Sequence, residues 1–153
     1  MRRILFVCLG NICRSPLAEG VAQKLIDEQD ISCYVESAGT GNWHEGEAPC
    51  ENSVKIAQSH GIDISNKRAR PVSKPDITSF DYVIAMDRQN QADLKAFGFK
   101  NVYRLGEFGG CHGEDVPDPY FFRGFEGFVK VYDMIDTCVK DIIEQVKNET
   151  IGK

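Results

Sequence analysis

Apolar and polar positions along the chain follow two rhythms. Ile4-Leu5-Phe6-Val7 is an unbroken β-type apolar run, the pattern of a strand buried on both faces. Leu17, Ala18, Val21, Ala22, Leu25 and Ile26 then recur at helical spacing and predict one buried stripe. Ser15 reads as the N-cap of that helix and Pro16 as its first residue, where a missing N–H costs nothing. The capping box is incomplete, because Ala18 stands where Glu or Gln would complete it. The helix fades at Asp27 to Asp30, and Ile31 to Glu36 reads as a second strand.

Glu47 to His60 predicts a helix on Val54, Ile56 and Ala57, with Gly61 as C-cap. Phe80 to Met86 is the clearest internal strand. Asp87 follows as N-cap of a helix running to about Phe97 and stopped by Gly98, and Asn101 to Leu105 reads as a fourth strand. From about Gly124, the positions Phe125, Phe128, Val129, Tyr132, Ile135, Cys138, Val139, Ile142, Ile143 and Val146 mark one long core helix, and Ile151 onward is expected to fray. Strands and helices alternate. The expected fold is therefore α/β, a single domain over residues 1–153 with a four-stranded parallel sheet, helices on both faces and right-handed crossovers. Ligands in such sheets bind beyond the carboxyl ends of strands, and Cys8 lies at one of those ends.

Between the first strand and helix, Cys8 and Arg14 bracket Leu9, Gly10, Asn11, Ile12 and Cys13. Gly10 and Asn11 tolerate positive φ, so the loop can turn its N–H groups inward, and the helix behind adds a positive dipole end. That makes an anion cradle. Arg14 adds a planar fork for two oxygens of a phosphate, and Cys8 at the floor of this field is favoured as thiolate, the nucleophilic form. A buried structural cysteine is the plainer reading of Cys8 alone. Gly10, Asn11, Arg14 and the Ser15-Pro16 helix start beside it favour the functional one.

Val7 to Pro16 resembles the active-site signature of the low-molecular-weight protein tyrosine phosphatases, and the likeness extends along nearly the whole chain. The resemblance implies the flavodoxin-like, phosphotyrosine protein phosphatase I-like fold. It also implies hydrolysis of phosphotyrosine and aryl phosphate monoesters through a cysteinyl-phosphate. Cys8 matches the nucleophile and Arg14 the phosphate clamp; the Ser15 hydroxyl, which can face the sulfur, would steady the leaving thiolate. The loop residues Leu9 to Cys13 match the phosphate cradle. Ser37 matches a serine bonded to the loop asparagine, Asn11. Asp87 matches a residue near the loop, although helix cap is the plainer reading. Trp43, the single tryptophan, and Tyr120 match two aromatic walls of the pocket.

Gly106 to Gly124 is the longest segment without periodicity, and such loops are usually functional. It holds Asp115, Val116, Pro117, Asp118, Pro119 and Tyr120, where flanking prolines stiffen the backbone around Asp118. Asp-Pro is also ordinary turn chemistry. In the resemblance Asp118 matches the general acid, and Asp115 is the decoy. Phe121 stands where many relatives carry a second tyrosine. A histidine that relatives often have near Asn66, bonded to the loop asparagine, is absent.

Composition narrows the classes. A 153-residue chain with 42% hydrophobic and 27% charged residues reads as an ordinary soluble domain. Net charge is −5 with no Lys/Arg run, so nucleic acid is not an expected partner and any anion must be bound locally; no segment reads as long enough to span a bilayer, so no membrane is expected either. The apolar run Ile4 to Leu9 is too short for a signal peptide, so the cytoplasm is expected. Six cysteines without a secretory signal are expected reduced, with Cys33, Cys50, Cys111 and Cys138 as core or surface residues. Cys8 and Cys13 are the exception: in the resembling family that pair can close reversibly, and simple packing of Cys13 is the equal alternative. His44, His60 and His112 show no metal-ligand spacing and read as surface or core residues. No metal or cofactor is expected. The expected partners are phosphotyrosine-containing proteins, with phosphate or another oxyanion in the loop, and the chain is expected as a monomer or weak dimer. The basic stretch Lys67 to Arg70 has no role legible from the residues. The rivals are an arsenate reductase, which would need relay cysteines near Asp87 to Gly98, a phosphocysteine carrier, which has no use for Asp118, and a plain anion-binding module.

Overall fold

The computed structural model describes residues 1–119 and 125–151. Its elements, in chain order, are β1 (Arg2–Cys8), α1 (Arg14–Gln29), β2 (Cys33–Gly39), α2 (Glu51–Ser59), α3 (Asp76–Ser79), β3 (Tyr82–Ala85), α4 (Arg88–Phe97), β4 (Val102–Arg104), a 3₁₀ turn (Leu105–Glu107) and α5 (Glu126–Lys147). The four strands form one parallel sheet in the order β2-β1-β3-β4.

β1 is central and has its apolar run fully buried, Ile4 to Val7 each at 0% exposure. Its alternating faces supply two cores. Ile4, Phe6 and Cys8 pack with residues of α1, α2 and α5, while Leu5 and Val7 pack with Val83, Ala85 and Leu94 on the α4 side. Each of Ile4, Leu5, Phe6 and Val7 stabilises by roughly 1.5–3 kcal/mol when buried. The strand that ends at Cys8 is thereby the best-anchored segment of the sheet.

Several boundaries differ from the sequence reading, each for a local reason. β2 starts at Cys33 and extends through Ser37 to Gly39, because Ser37, Ala38 and Gly39 pair with Phe6, Val7 and Cys8. α2 starts at Glu51, not Glu47: Glu47 O accepts from Ala69 N and Cys50 N is spent on Ile12 O. α2 ends at Ser59 with His60 at the C-cap position, so Gly61, expected as the C-cap, stands one residue beyond it at φ 77°, with Gly61 N bonded to Gln58 O and Ile62 N to Ala57 O. The turn of helix α3 has no apolar periodicity to announce it. In α5 the stripe excludes Phe125 and Val129, which are exposed, and includes Val131. Ile151 is buried in the core and does not fray.

Candidate active site

The loop from Cys8 to Arg14 is held by its carbonyls. Cys8 O accepts from Thr40 N at 3.0 Å, Leu9 O from Gly41 N at 2.9 Å, Ile12 O from Cys50 N at 2.7 Å, and Cys13 O from Ser53 Oγ at 3.2 Å. In a planar trans peptide the following N–H points away from the carbonyl. The amides of Leu9, Gly10, Cys13 and Arg14 therefore lie on the edges opposite these bonds, at the N-terminal end of α1. Asn11 alone takes the positive φ, 57°. Gly10 serves by close approach instead, since a Cβ there would lie 2.8 Å from His44 Cδ2.

The Cys8 thiol is 3% exposed, and its Sγ accepts from Asn11 N at 3.2 Å and lies 3.0 Å from Ser15 Oγ. The direction of that second bond follows from the groups behind it. Arg70 N donates to Asn11 Oδ1 at 3.0 Å, which turns Asn11 Nδ2 toward Ser15 Oγ (2.8 Å) and Ser37 Oγ (2.9 Å). Ser37 sends its own proton to Glu19 Oε1 at 2.6 Å, and the other Glu19 oxygen pairs with Lys67 Nζ. Ser15 Oγ thus receives a proton from Asn11 and has its own left for the sulfur.

This use of Ser15 corrects the predicted cap. α1 begins at Arg14, with Cys13 at the N-cap position making no side-chain cap bond. Pro16 then stands third in the helix, where its missing N–H is still one that no carbonyl would have accepted.

Arg14 is buried, and its Nη1 donates to Asp87 Oδ2 at 2.8 Å and Val116 O at 2.9 Å. Asp87 Oδ1 meanwhile accepts from Asn90 N at 2.7 Å, so this one carboxylate both caps α4 and orients the arginine. Asp118 Oδ2 lies 3.8 Å from Arg14 Nη2. Asp115 is turned elsewhere, accepting from Arg88 N at 3.1 Å.

A cavity of ≈ 450 Å³ opens over the loop. Cys8, Cys13, Arg14 and Asp118 line it with the apolar side chains of Leu9, Ile12 and Trp43. Trp43 is 61% exposed, as a pocket wall and not a core residue. His44 also lines the cavity from a partly exposed position, held to Glu47 Oε2 at 2.5 Å through Nδ1. Tyr120 and Phe121 lie outside the described residues.

Glu19 and its pairing with Lys67 escaped the sequence reading, as no periodicity links α1 to the basic stretch. That stretch lines a separate cavity of ≈ 170 Å³ with Asn11 and Ser37. Arg70 ties Asp76 (2.9 Å) and Glu36 (3.5 Å). Burial alone would push the Asp76 carboxyl up, but hydrogen bonds from Arg70 and Ser73 and the charge of Arg70 hold it below its ordinary value. The backbone of Arg70 also satisfies Asn11.

The expectation of six reduced cysteines is overturned by a disulfide between Cys13 and Cys50. The contact depends on α2 docking behind the loop, which no sequence spacing announces. Cys8, Cys33, Cys111 and Cys138 are free. Among the described residues no group of three or more His, Cys, Asp or Glu is placed to hold a metal ion, and no helix is long and apolar enough to cross a membrane.

The model of the family described as low molecular weight phosphotyrosine protein phosphatase matches residues 3–151. The Bacillus subtilis low molecular weight protein-tyrosine-phosphatase YfkJ is 38% identical, over 97% of this chain and 98% of its own. A crystal structure of a protein tyrosine phosphatase from Entamoeba histolytica superposes with a TM-score of 0.91 at 32% identity, covering 99% of this chain and 100% of that one. That of DARP, described as drosophila arginine phosphatase, gives 0.89 at 31% identity, covering 96% and 98%.

Proposed function

Because the chain belongs to the low molecular weight phosphotyrosine protein phosphatase family, we propose that its hydrolysis of phosphotyrosine runs through a phosphate carried on Cys8. The protein is a hydrolase of phosphate monoesters. The observation that carries the residue-level reading is the Cys8 sulfur, bonded to Asn11 N and Ser15 Oγ at the floor of a cavity that Arg14 and Asp118 also line.

Cys8 Sγ attacks phosphorus in line, and the bond to the aryl oxygen breaks as the S–P bond forms. Arg14 and the loop N–H groups hold the non-bridging oxygens, with the donors fixed before the charge arrives. Asp87 and Val116 O keep the guanidinium in place, so little reorganisation is needed. Asp118 protonates the departing phenolate, then takes a proton from the water that attacks the phosphocysteine. The Ser15 proton meets the sulfur as it leaves. Trp43, with Leu9 and Ile12, supplies the apolar walls, and Tyr120 is proposed as the facing wall. Leu9 and Ile12 offer a guanidinium's N–H donors no acceptor, whereas a flat aryl group needs none from them. The whole chain is read as one catalytic domain, working as a monomer or weak dimer in the cytoplasm on phosphotyrosine-containing proteins.

The test is turnover of an aryl phosphate, a phosphotyrosine peptide and a phosphoarginine peptide with chelator and reductant present, by the unaltered chain and by Cys8→Ser. Turnover of the first two, lost in Cys8→Ser, is expected. Preference for the phosphoarginine peptide would overturn the substrate assignment, and activity in Cys8→Ser would overturn the nucleophile.

A further inference from the structure

Cys13 and Cys50 are bonded although 37 residues separate them in sequence, and their Cα atoms lie 5.2 Å apart. The disulfide spans a contact that other bonds already make: Cys50 N holds Ile12 O and Ser53 Oγ holds Cys13 O. Those bonds do not depend on the sulfurs. The pair can therefore open and close with the loop in place. In the same molecule Cys8 is a free thiol, bonded to Ser15 and Asn11, and Cys8 and Cys13 line one cavity. Two cysteines line this cavity, the nucleophile and a neighbour on its own loop, and a third, Cys50, is bonded to that neighbour.

We propose that Cys13 and Cys50 form a redox site that regenerates Cys8 after oxidation by a peroxide, with Cys50 as the resolving cysteine. The inference rests on Cys8 being the nucleophile. The Cys8 thiolate attacks the peroxide oxygen, giving Cys8–SOH and releasing water or an alcohol. Cys13 attacks the sulfenic sulfur, forming the Cys8–Cys13 bond and expelling water. Cys50 thiolate then attacks Cys13 Sγ, so the Cys13–Cys50 bond forms and Cys8 leaves as thiolate. Two thiols have lost two electrons and one peroxide O–O bond has gained them; a dithiol later returns the pair to thiols. The end product is the arrangement in the structure, with Cys8 back on its donors. Without the relay the sulfenic acid is open to further, irreversible oxidation. Cys111 and Cys138 form a separate pair with sulfurs 3.2 Å apart, and burial pushes the Cys138 thiol up, which keeps it protonated and slow to exchange.

The experiment uses the fully reduced chain, freed of excess reductant and given one equivalent of hydrogen peroxide. Aryl phosphate turnover is followed with time, and disulfides are mapped by mass spectrometry of alkylated, non-reduced peptides. In the unaltered chain, lost turnover should return without added thiol, and the mapped bond should be Cys13–Cys50. Cys50→Ser and Cys50→Ala should be as active as the unaltered chain before peroxide, then stay inactive with Cys8 bonded to Cys13 until a dithiol is added. Recovery by both variants at the unaltered rate, or a recovered chain with Cys50 alkylated, would overturn the proposal. Turnover measured before peroxide tests the phosphatase reading separately.

Discussion

Asp87 holds Arg14 with one carboxylate oxygen, at 2.8 Å from Nη1, and caps α4 with the other, at 2.7 Å from Asn90 N. The two duties separate by substitution. Serine is as good a cap as aspartate, while alanine caps nothing, so Asp87→Ser should be more stable than Asp87→Ala by about 1 kcal/mol. Both should lose the same activity, since neither grips Arg14. Urea titration and kcat/KM on an aryl phosphate check this; unequal activity would mean that the cap, not the arginine, carries the effect.

The bond from Asn11 Nδ2 to Ser15 Oγ frees the Ser15 proton for Cys8. Asn11→Asp removes both donors at nearly constant shape. Turnover is expected to fall by about 10–100-fold, the scale of one hydrogen bond to a charged group. Because Asn11 acts through Ser15, adding Ser15→Ala to Asn11→Asp should cost little more than Asn11→Asp alone. Fully multiplicative losses would place the two residues in separate roles.

Asp118 lines the cavity 3.8 Å from Arg14 Nη2. As the proton donor it matters most where the leaving oxygen is basic. Asp118→Asn should slow esters of weakly acidic phenols by about 10²–10⁴-fold and activated nitrophenyl esters far less. Equal losses across a leaving-group series would remove it from that role.

The Asp76 carboxyl, held below its ordinary value by Arg70 and Ser73 against the opposing effect of burial, makes stability depend on pH. Its folded value is lower than the unfolded one near 3.8. The contribution is therefore complete above the unfolded value and is lost as pH falls through the folded one. Asp76→Asn should be less stable than the unaltered chain at pH 7, and the gap should close on acidification below that value. Denaturant titrations at several pH values measure it; a gap that stays constant would contradict the Arg70–Asp76 account.

Much of the fold was legible because β1 and β3 are buried along nearly all of their length and so read as apolar runs. Ile4 to Val7 is the clearest, and the Asp87 and Gly98 boundaries of α4 followed from cap chemistry alone. The start of α1 was misplaced because Ser15 has the chemistry of a cap and is used for the sulfur instead. Ser37 bonds Asn11, and Trp43 lines the cavity over the loop. What stayed hidden depends on elements meeting in space: Glu19 with Lys67, His44 against Gly10, and Cys13 with Cys50.

The most direct test of the account is to quench the unaltered chain during turnover of a phosphotyrosine peptide and map the phosphate by mass spectrometry. The account predicts phosphate on Cys8, increased in Asp118→Asn with an activated substrate, where the second step lacks its base, and absent in Cys8→Ser. Steady turnover with no phosphate on Cys8, together with activity in Cys8→Ser, would contradict it.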